Sequence, residues 1–598
     1  MSEHFNPVIL NEVKNLFRIL LAIPLVALSC GKGDEPSSGS KSLEAPKNLT
    51  VKSVTENSVT IQWDPVEGAK TYRWSVSQAG SPVVSGGGTN RNATVTGLSA
   101  GTTYRFSVSA ASVSASEESV TSAESSIDFT TEGSATPVIP VADAVCVDAP
   151  IVVSFDAVPV LGTSGKIKVF AASGKQVDEI DLADIATVDI LEDGTMIPKG
   201  ADADQGLIAI GNDYVFNTFM DALHSAQYRV VHYTPLRING KNLEIKLHNE
   251  ALDFNGSYYV TIDESVAGKA VAAGDLSFTT KARPSGTTLS VNPDGSADFC
   301  TVQGALSYAS ANIAKDEAVT VEVARGTYRE LLFLRNKNNV TIKGADREKT
   351  VIVYPNNDSY ETGSGGSVAS RPHIGSSIGK SGGRSLFLVE GCDNLRLENL
   401  TIENSYSIPS HKGQAETVYF NSNYRLTVEN CSLLSWQDTF LTKGKVWVHN
   451  SLIAGHVDFI WGYPEACLFE DCEIRARAGG YLIQARVPSA SNKGFVFLNC
   501  RITAGEGVKD GSMYLARSGG STDYYDNVTF VNCHMSSVVA PVGWYSNPAP
   551  NPATPTAVSG WKEYGTTGVS TASRNNLGRI LTADEAAAYS SKEAVLGW

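Results

Sequence analysis

Two aspartates stand out in the chain: Asp438 in SWQDTF and Asp458 in HVDFIWG, 20 residues apart. Each sits among apolar and aromatic side chains, with Trp436, Phe440, Phe459 and Trp461 close in sequence. Two carboxylates brought together in such surroundings cannot both ionise freely, so one is expected to keep a proton near neutrality. A protonated acid beside an ionised carboxylate serves two common chemistries. One is glycoside cleavage, with the pair flanking the glycosidic bond. The other is acyl transfer, where one carboxylate attacks a carbonyl and its neighbour acts as acid and then base. A stacked pair of aspartates capping chain reversals would do no chemistry. The accompanying residues favour acyl transfer. Gln414 and Gln437 offer neutral donors for a developing oxyanion. Arg517, in YLAR, can hold one carboxylate ionised through paired hydrogen bonds. Neutral donors with one arginine suit an ester carbonyl better than an oxocarbenium ion.

The closeness of the two acids has to come from the organisation of the chain. Six segments share an alternating apolar strand that ends in Asn or Asp, followed by a small residue: LENLTIENS, TVENCSLLS, WVHNSLIAG, LFEDCEIRA, FLNCRITA and FVNCHMSS. The marker residues Asn399, Asn430, Asn450, Asp471, Asn499 and Asn532 are separated by 31, 20, 21, 28 and 33 residues. A minimum near 20 with longer excursions predicts a parallel β-helix, one coil per repeat, with loops inserted at the corners. Asp438 and Asp458 each lie eight residues past a marker, Asn430 and Asn450. Equal offsets put their side chains on neighbouring parallel strands about 4.8 Å apart, pointing the same way. Cys431, Cys472, Cys500 and Cys533 follow markers and are expected to stack inside the coil as small hydrophobes rather than as disulfides. No C-x-x-C pair and no histidine cluster offers a zinc site.

At 598 residues the chain requires several domains. A net charge of −15 argues against nucleic acid or anionic membrane surfaces as partners. Lys14 and Arg18 precede the apolar run from Ile19 to Leu28, too short to span a bilayer, and Cys30 follows directly. Residues 1–30 therefore resemble a lipoprotein signal, with Cys30 as the acylated residue and 31–43 as a tether. The acidic Lys32–Glu35 segment resembles the tag of surface-exposed lipoproteins, which places the protein at the outer membrane, on the cell surface or its periplasmic face. Residues 44–132, with Trp63 on an early strand and Tyr104 after GLSAGT, resemble a fibronectin type III sandwich. Residues 136–282 resemble a bacterial Ig-like domain. Neither suggests chemistry of its own. The expected class is all-β: two sandwiches followed by a right-handed, single-stranded parallel β-helix over 288–598.

Five segments then occur in a telling order: GTYRE (326–330), QA (414–415), WQDTF (436–440), VDFIWG (457–462) and YLAR (514–517). In that order they resemble the motifs of the pectin methylesterases, and VNPDGSADFCTVQGAL near 291 and the WKEYGTTGVST end resemble that family's termini. The resemblance implies hydrolysis of methyl-esterified homogalacturonan by a monomer without cofactor or metal. By the same resemblance Asp458 attacks the ester, Asp438 protonates methanol and then activates water, Gln414 and Gln437 stabilise the oxyanion, and Arg517 orients Asp458. Where the family places Pro-Trp after its arginine, this chain has Ser518-Gly519. Trp461, Tyr463, Tyr514, Tyr524 or Trp544 is expected to supply the missing sugar platform. Glu416 replaces an apolar residue of the second motif and puts another acid near the cleft. Glu330 is expected in a structural ion pair and His456 at the cleft rim. Gly375–Gly379 matches G-x-S-x-G without the strand-to-helix setting of a nucleophile elbow. Two alternatives stay open: an esterase or thioesterase of the same fold with another acyl substrate, and a non-catalytic polyuronate binder.

Overall fold

The structure, a computed structural model, describes residues 42–598 apart from 55–57, 100, 113–119, 132–136, 139–141, 163, 185–187, 191–195, 199–218, 226, 234, 359–382 and 407–412. Cys30, the rest of the expected signal and most of the tether lie outside the described residues, as does the G-x-S-x-G match. Among the described residues no helix is long and apolar enough to cross a membrane.

Strands Thr50–Val54, Ser58–Gln62 and Asn92–Thr96 form a three-stranded sheet, and a separate five-stranded sheet is built on Thr71–Gln78 and Thr103–Ser112. Trp63 is buried edge-on to Tyr72, with ring centroids 5.4 Å apart. Tyr104 is also buried, and its hydroxyl accepts from the Ser99 amide at 2.9 Å.

The next segment has two sheets. Ala142–Val145, Val271–Thr280, Ser257–Ile262, Lys166–Ala171 and Gln176–Asp181 make one, and Ile151–Phe155 and Asn242–Ile245 are the centre of the other. Val153, Phe155, Leu243 and Ile245 share a single core with Ile167, Val169, Val260 and Ile262, the arrangement of a β-sandwich. Between its strands the chain also forms the hairpin Phe219–Ser225 with Gln227–Tyr233.

Among the described residues from Thr288 onward, 22 strands join in one sheet whose pairings are parallel, and the sheet winds on itself as a β-helix. Its inward positions stack coil upon coil. On one face Leu397, Val428, Val448, Phe469, Phe497 and Phe530 are in register. On a second, Ile352, Ile402, Leu433, Ile453, Ile474 and Ile502 are. On a third, Leu332, Phe387, Val418, Phe440, Ile460 and Ile483 are. Period-two alternation is what lets every strand send its β-branched and aromatic residues inward while polar ones face out. The Phe469, Phe497 and Phe530 rings stack at 4.7 Å spacings.

The markers sit where the chain turns from the first face to the second. All six have φ between 47° and 55°, a left-handed conformation that Asn and Asp tolerate better than other side chains. Their amides also ladder: Asn430 donates to Asn399 at 2.8 Å and Asn450 to Asn430 at 3.3 Å. The cysteines that follow are buried free thiols, as expected. Each also donates back to the carbonyl two residues earlier, at 3.2 Å for Cys431 and Cys472 and 3.4 Å for Cys500. Ser451 makes the same contact with its hydroxyl at 2.8 Å, so the position selects a small side chain with a donor.

Helix Val302–Asn312 buries Val302, Ala305, Leu306 and Ala309 in the core of the first coil. Glu330 corrects an expectation. Its carboxylate accepts from the Val302 and Gln303 amides, both at 2.8 Å. The glutamate of GTYRE thus caps this helix, its carboxyl oxygens meeting the unpaired amides of the first turn, and Lys246 acts on it through charge without a salt bridge.

Candidate active site

Gln414, Gln437 and Val457 pair in register on three successive coils. Asp438 and Asp458 each come one residue later, on adjacent coils, and the Asp438 amide donates to the Val457 carbonyl at 3.1 Å. Both aspartates adopt positive φ, 64° and 47°, at the corner where the chain passes from the second face to the third. Aspartate accepts this conformation more readily than a β-branched or bulky residue, and here it turns both carboxylates out of the regular pleat. They remain almost wholly buried, 3% and 4% exposed.

Their surroundings differ. The Arg517 guanidinium grips Asp458: Nε donates to Oδ1 at 2.7 Å and to Oδ2 at 3.0 Å, and Nη2 also donates to Oδ2. Gln484 Nε2 adds a bond to Oδ2 at 2.9 Å. Burial pushes Asp458 above the usual carboxylate range, and Arg517 and then Arg486 oppose that push. Asp438 is carried well above the usual range, first by burial and second by the charge of Glu416, with Arg384 opposing. Asp458 and Asp358 add smaller repulsions. The sequence led us to expect that the two aspartates set each other's protonation. In the structure desolvation leads, the extra acid of the second motif comes next, and the partner aspartate contributes less.

Arg384 binds three of these groups at once. Its Nε donates to both Glu416 carboxylate oxygens at 2.9 and 2.8 Å, its Nη2 to Asp438 Oδ2 at 3.2 Å, and its Nη1 to Gln414 Oε1. Glu416 is completely buried, and this pairing is what makes a charge there tolerable.

Trp461 lies between two cations. The Arg384 guanidinium is 5.8 Å from its ring and that of Arg486 is 5.1 Å away. Arg486 in turn donates to Gln484 Oε1 and to the Tyr463 hydroxyl, the latter at 2.9 Å. Trp461 and Tyr463 line a pocket of about 380 Å³ together with Tyr419, Leu441, Lys443 and Tyr524. Tyr514 stands beside Tyr481 and Tyr545, at centroid distances of 5.8 and 5.1 Å, and the Arg517 guanidinium covers Tyr481 at 4.8 Å. Trp544 does not belong with these. It is 1% exposed, stacked on Trp561 at 5.3 Å inside the coil, and offers no face to a sugar. His456 is buried edge-on to Trp436 rather than on a solvated rim. Ser518 turns inward to Asp526 at 2.8 Å.

Asp438, Asp458, Gln414 and Gln437 therefore lie at one corner of three consecutive coils, and Arg517 reaches Asp458 from the end of a strand two coils further on. Arg384, Gln484 and Arg486 were missed. Gln484 carried a usable signal, since strand register pairs it with Trp461. Arg384 carried none: it follows a Gly/Ser-rich stretch and reaches the site only through the fold. Among the described residues a possible metal-ligand trio is Cys146, Asp148 and Cys300. Its carboxylate is already occupied by the Cys300 amide at 3.0 Å and the Thr301 hydroxyl at 2.6 Å, as a cap for helix Val302–Asn312.

Residues 288–597 match the family model described as Pectinesterase, and residues 44–125 match that of the fibronectin type III domain. The chain is 33% identical to Pectinesterase 31 of Arabidopsis thaliana, over 43% of this chain and 76% of that protein. It is 27% identical to Probable pectinesterase/pectinesterase inhibitor 64 of the same plant, over 46% of each chain. Among solved structures it is similar to pectin methylesterase PemA from Erwinia chrysanthemi, with 23% identity, a TM-score of 0.42, and coverage of 53% of this chain and 98% of that one.

Proposed function

The chain belongs to the pectinesterase family and is a carboxylic ester hydrolase, and from that premise we propose that its two buried aspartates remove methyl groups from esterified polygalacturonate. The observation that carries this reading is the unequal treatment of neighbouring carboxylates. Asp458 is held by Arg517 and Gln484, while Asp438 is buried beside a second acid that favours its protonated form. Two acids with separated environments divide into nucleophile and proton donor.

Asp458 attacks the methyl-ester carbonyl, and the electron pair of the C=O bond moves onto oxygen. The amides of Gln414 and Gln437, stacked on adjacent coils, donate to that oxyanion. As the intermediate collapses, the C–OCH3 bond breaks and Asp438 gives its proton to the leaving methoxide, which departs as methanol. An acyl-aspartate anhydride remains. Asp438, now a carboxylate, takes a proton from water as that water attacks the galacturonyl carbon. The anhydride opens, freeing the Asp458 carboxylate and a galacturonic acid that keeps the second proton of the water and loses it to solvent as galacturonate, and Asp438 ends protonated as it began.

The pocket of Trp461, Tyr463, Tyr419, Lys443 and Tyr524 takes a neighbouring sugar, and the Tyr481, Tyr514 and Tyr545 cluster flanks Arg517 where the family's tryptophan is missing. Cys30 tethers the enzyme by lipid to the outside of the cell, with the two sandwich domains, 44–132 and 136–282, as spacers. The test is methanol release from highly methylated pectin by the full chain. Asp458→Ala should abolish release while binding to methylated polygalacturonate stays measurable; full activity in that variant ends the assignment. Turnover of simple acyl esters with no methanol from pectin would select the other-substrate reading instead.

A further inference from the structure

We propose that Arg384 is a positioning residue of this reaction, aiming the Gln414 amide at the oxyanion and holding Asp438 in place as the acid, and that Arg229 of the neighbouring sandwich segment keeps it there. The inference rests on the esterase reading above and adds to it a device from outside the matched family region.

The first link is the Gln414 amide. A side-chain amide has one acceptor end and one donor end, and only the donor end helps an oxyanion. Arg384 Nη1 donates to Gln414 Oε1, which fixes the amide with its oxygen toward the guanidinium. A flip would set NH2 against a cation. The donor end is thereby left for the substrate. The second link is Asp438, which accepts from Arg384 Nη2 on Oδ2 at 3.2 Å and so holds a set orientation beside Gln414. The third is Glu416, whose carboxylate takes Arg384 Nε on both oxygens and prevents the cation from acting on Asp438 alone.

The backbone on either side of Arg384 is clamped. Arg229 is fully buried and donates to Gly383 O at 2.8 Å and Leu332 O at 2.8 Å, to Leu386 O at 3.1 Å, and to Ser385 O. Asn356 Nδ2 adds bonds to Gly383 O at 3.3 Å and Ser385 O at 3.1 Å. The carbonyls before and after Arg384 are thus each tied twice. Arg229 lies on the strand Gln227–Tyr233, paired with Leu223, outside both matched regions, 44–125 and 288–597. An element that adds no group of its own to the chemistry therefore sets where one wall of the site stands. A few tenths of an ångström there decide whether an oxyanion donor is in reach.

The groups facing Asp438 are Glu416, Arg384, Asp358 and Asp458, with Arg517 across the site. Removing the Glu416 charge leaves Arg384 unopposed, favours ionised Asp438, and so moves the alkaline limb of kcat to lower pH.

The experiment uses the full chain, with methanol release from methylated pectin followed against pH for Arg384→Met, Arg384→Lys, Glu416→Gln and Arg229→Met, and far-UV circular dichroism and melting to verify folding. Wild-type methanol release tests the parent reading; only ratios and limb shifts relative to wild type test this one. Arg384→Met should lower kcat by roughly 100-fold or more, as loss of an oxyanion donor does, with KM within about threefold. Arg384→Lys should recover only part of this, because a single ammonium cannot reproduce the fork. Arg229→Met should lower kcat by about tenfold with KM again little changed. The proposal is overturned by a kcat within about twofold of wild type in folded Arg384→Met or Arg229→Met. A Glu416→Gln alkaline limb that stays put or moves upward overturns it equally, and decides alone if the arginine variants do not fold.

Discussion

Arg517→Gln isolates what the guanidinium does for the proposed nucleophile. In the wild type, Arg517 places three hydrogen bonds on Asp458, and Gln484 supplies one more at 2.9 Å. A charge-assisted hydrogen bond contributes about 1.5–3 kcal/mol. The Arg517 side chain is 32% exposed, so solvent screening argues for the low end, about 2 kcal/mol in total. At about 1.4 kcal/mol per tenfold, the ionised fraction of Asp458 on the acid side should fall by roughly 30-fold. The sign follows from the surroundings: burial already raises Asp458 and Arg517 opposes it, so losing Arg517 raises it further. The acid limb of kcat/KM should therefore move to higher pH, with the deficit shrinking as pH rises and Asp458 ionises anyway. The assay is methanol release from about pH 4 to about pH 9, with a melting curve to establish that the variant is folded. A loss of the same size at every pH, or an acid limb that stays where it was, would refute the assignment of Arg517 to the ionisation of Asp458.

Three further outcomes are expected. Lys443 lies 5.9 Å from the Tyr419 ring and 5.8 Å from that of Tyr463 in the pocket beside Trp461, a cation in a place suited to a free sugar carboxylate. Lys443→Met should raise KM for partly de-esterified pectin several-fold more than KM for fully methylated pectin, as initial rates on the two substrates will show. Glu330, pushed up to about 7 by burial, is protonated more readily in the folded chain than in the unfolded one. Its contribution is complete below the ordinary carboxylate range and disappears as pH rises to about 7. Melting temperature should accordingly fall across that window in the wild type and less so in Glu330→Gln. Phe497 stacks between Phe469 and Phe530 at 4.7 Å on each side; Phe497→Ala should cost about 3–5 kcal/mol in denaturant unfolding.

Much of the fold was legible because a β-helix writes its coil length into the chain. The Asn and Asp markers recur where one residue must take positive φ, and the small thiols recur where the next side chain has space only for itself and a carbonyl to bond. From those two habits, coil spacing and the juxtaposition of Asp438 with Asp458 followed. The aromatic platforms were less legible. Trp544 and Trp461 are alike as letters, yet one faces Trp561 inside the coil and the other faces two arginines. Alternation assigns inside and outside only where the strand is regular, and both lie near breaks in the pairing.

By itself, the sequence determined the shortest coil of the solenoid, the chemical types at the corner that carries both aspartates and their order along the chain, because side-chain direction along a strand repeats every two residues and each coil keeps the same strands while loops lengthen only its corners. Tertiary structure alone decided how differently the two acids are surrounded and what holds the Gln414 amide in place. Glu416 and Arg384 are 32 residues apart, Arg229 and Ser385 are 156. Electrostatic energy depends on distance through space and on burial, and neither is written in the spacing of residues so far apart along the chain.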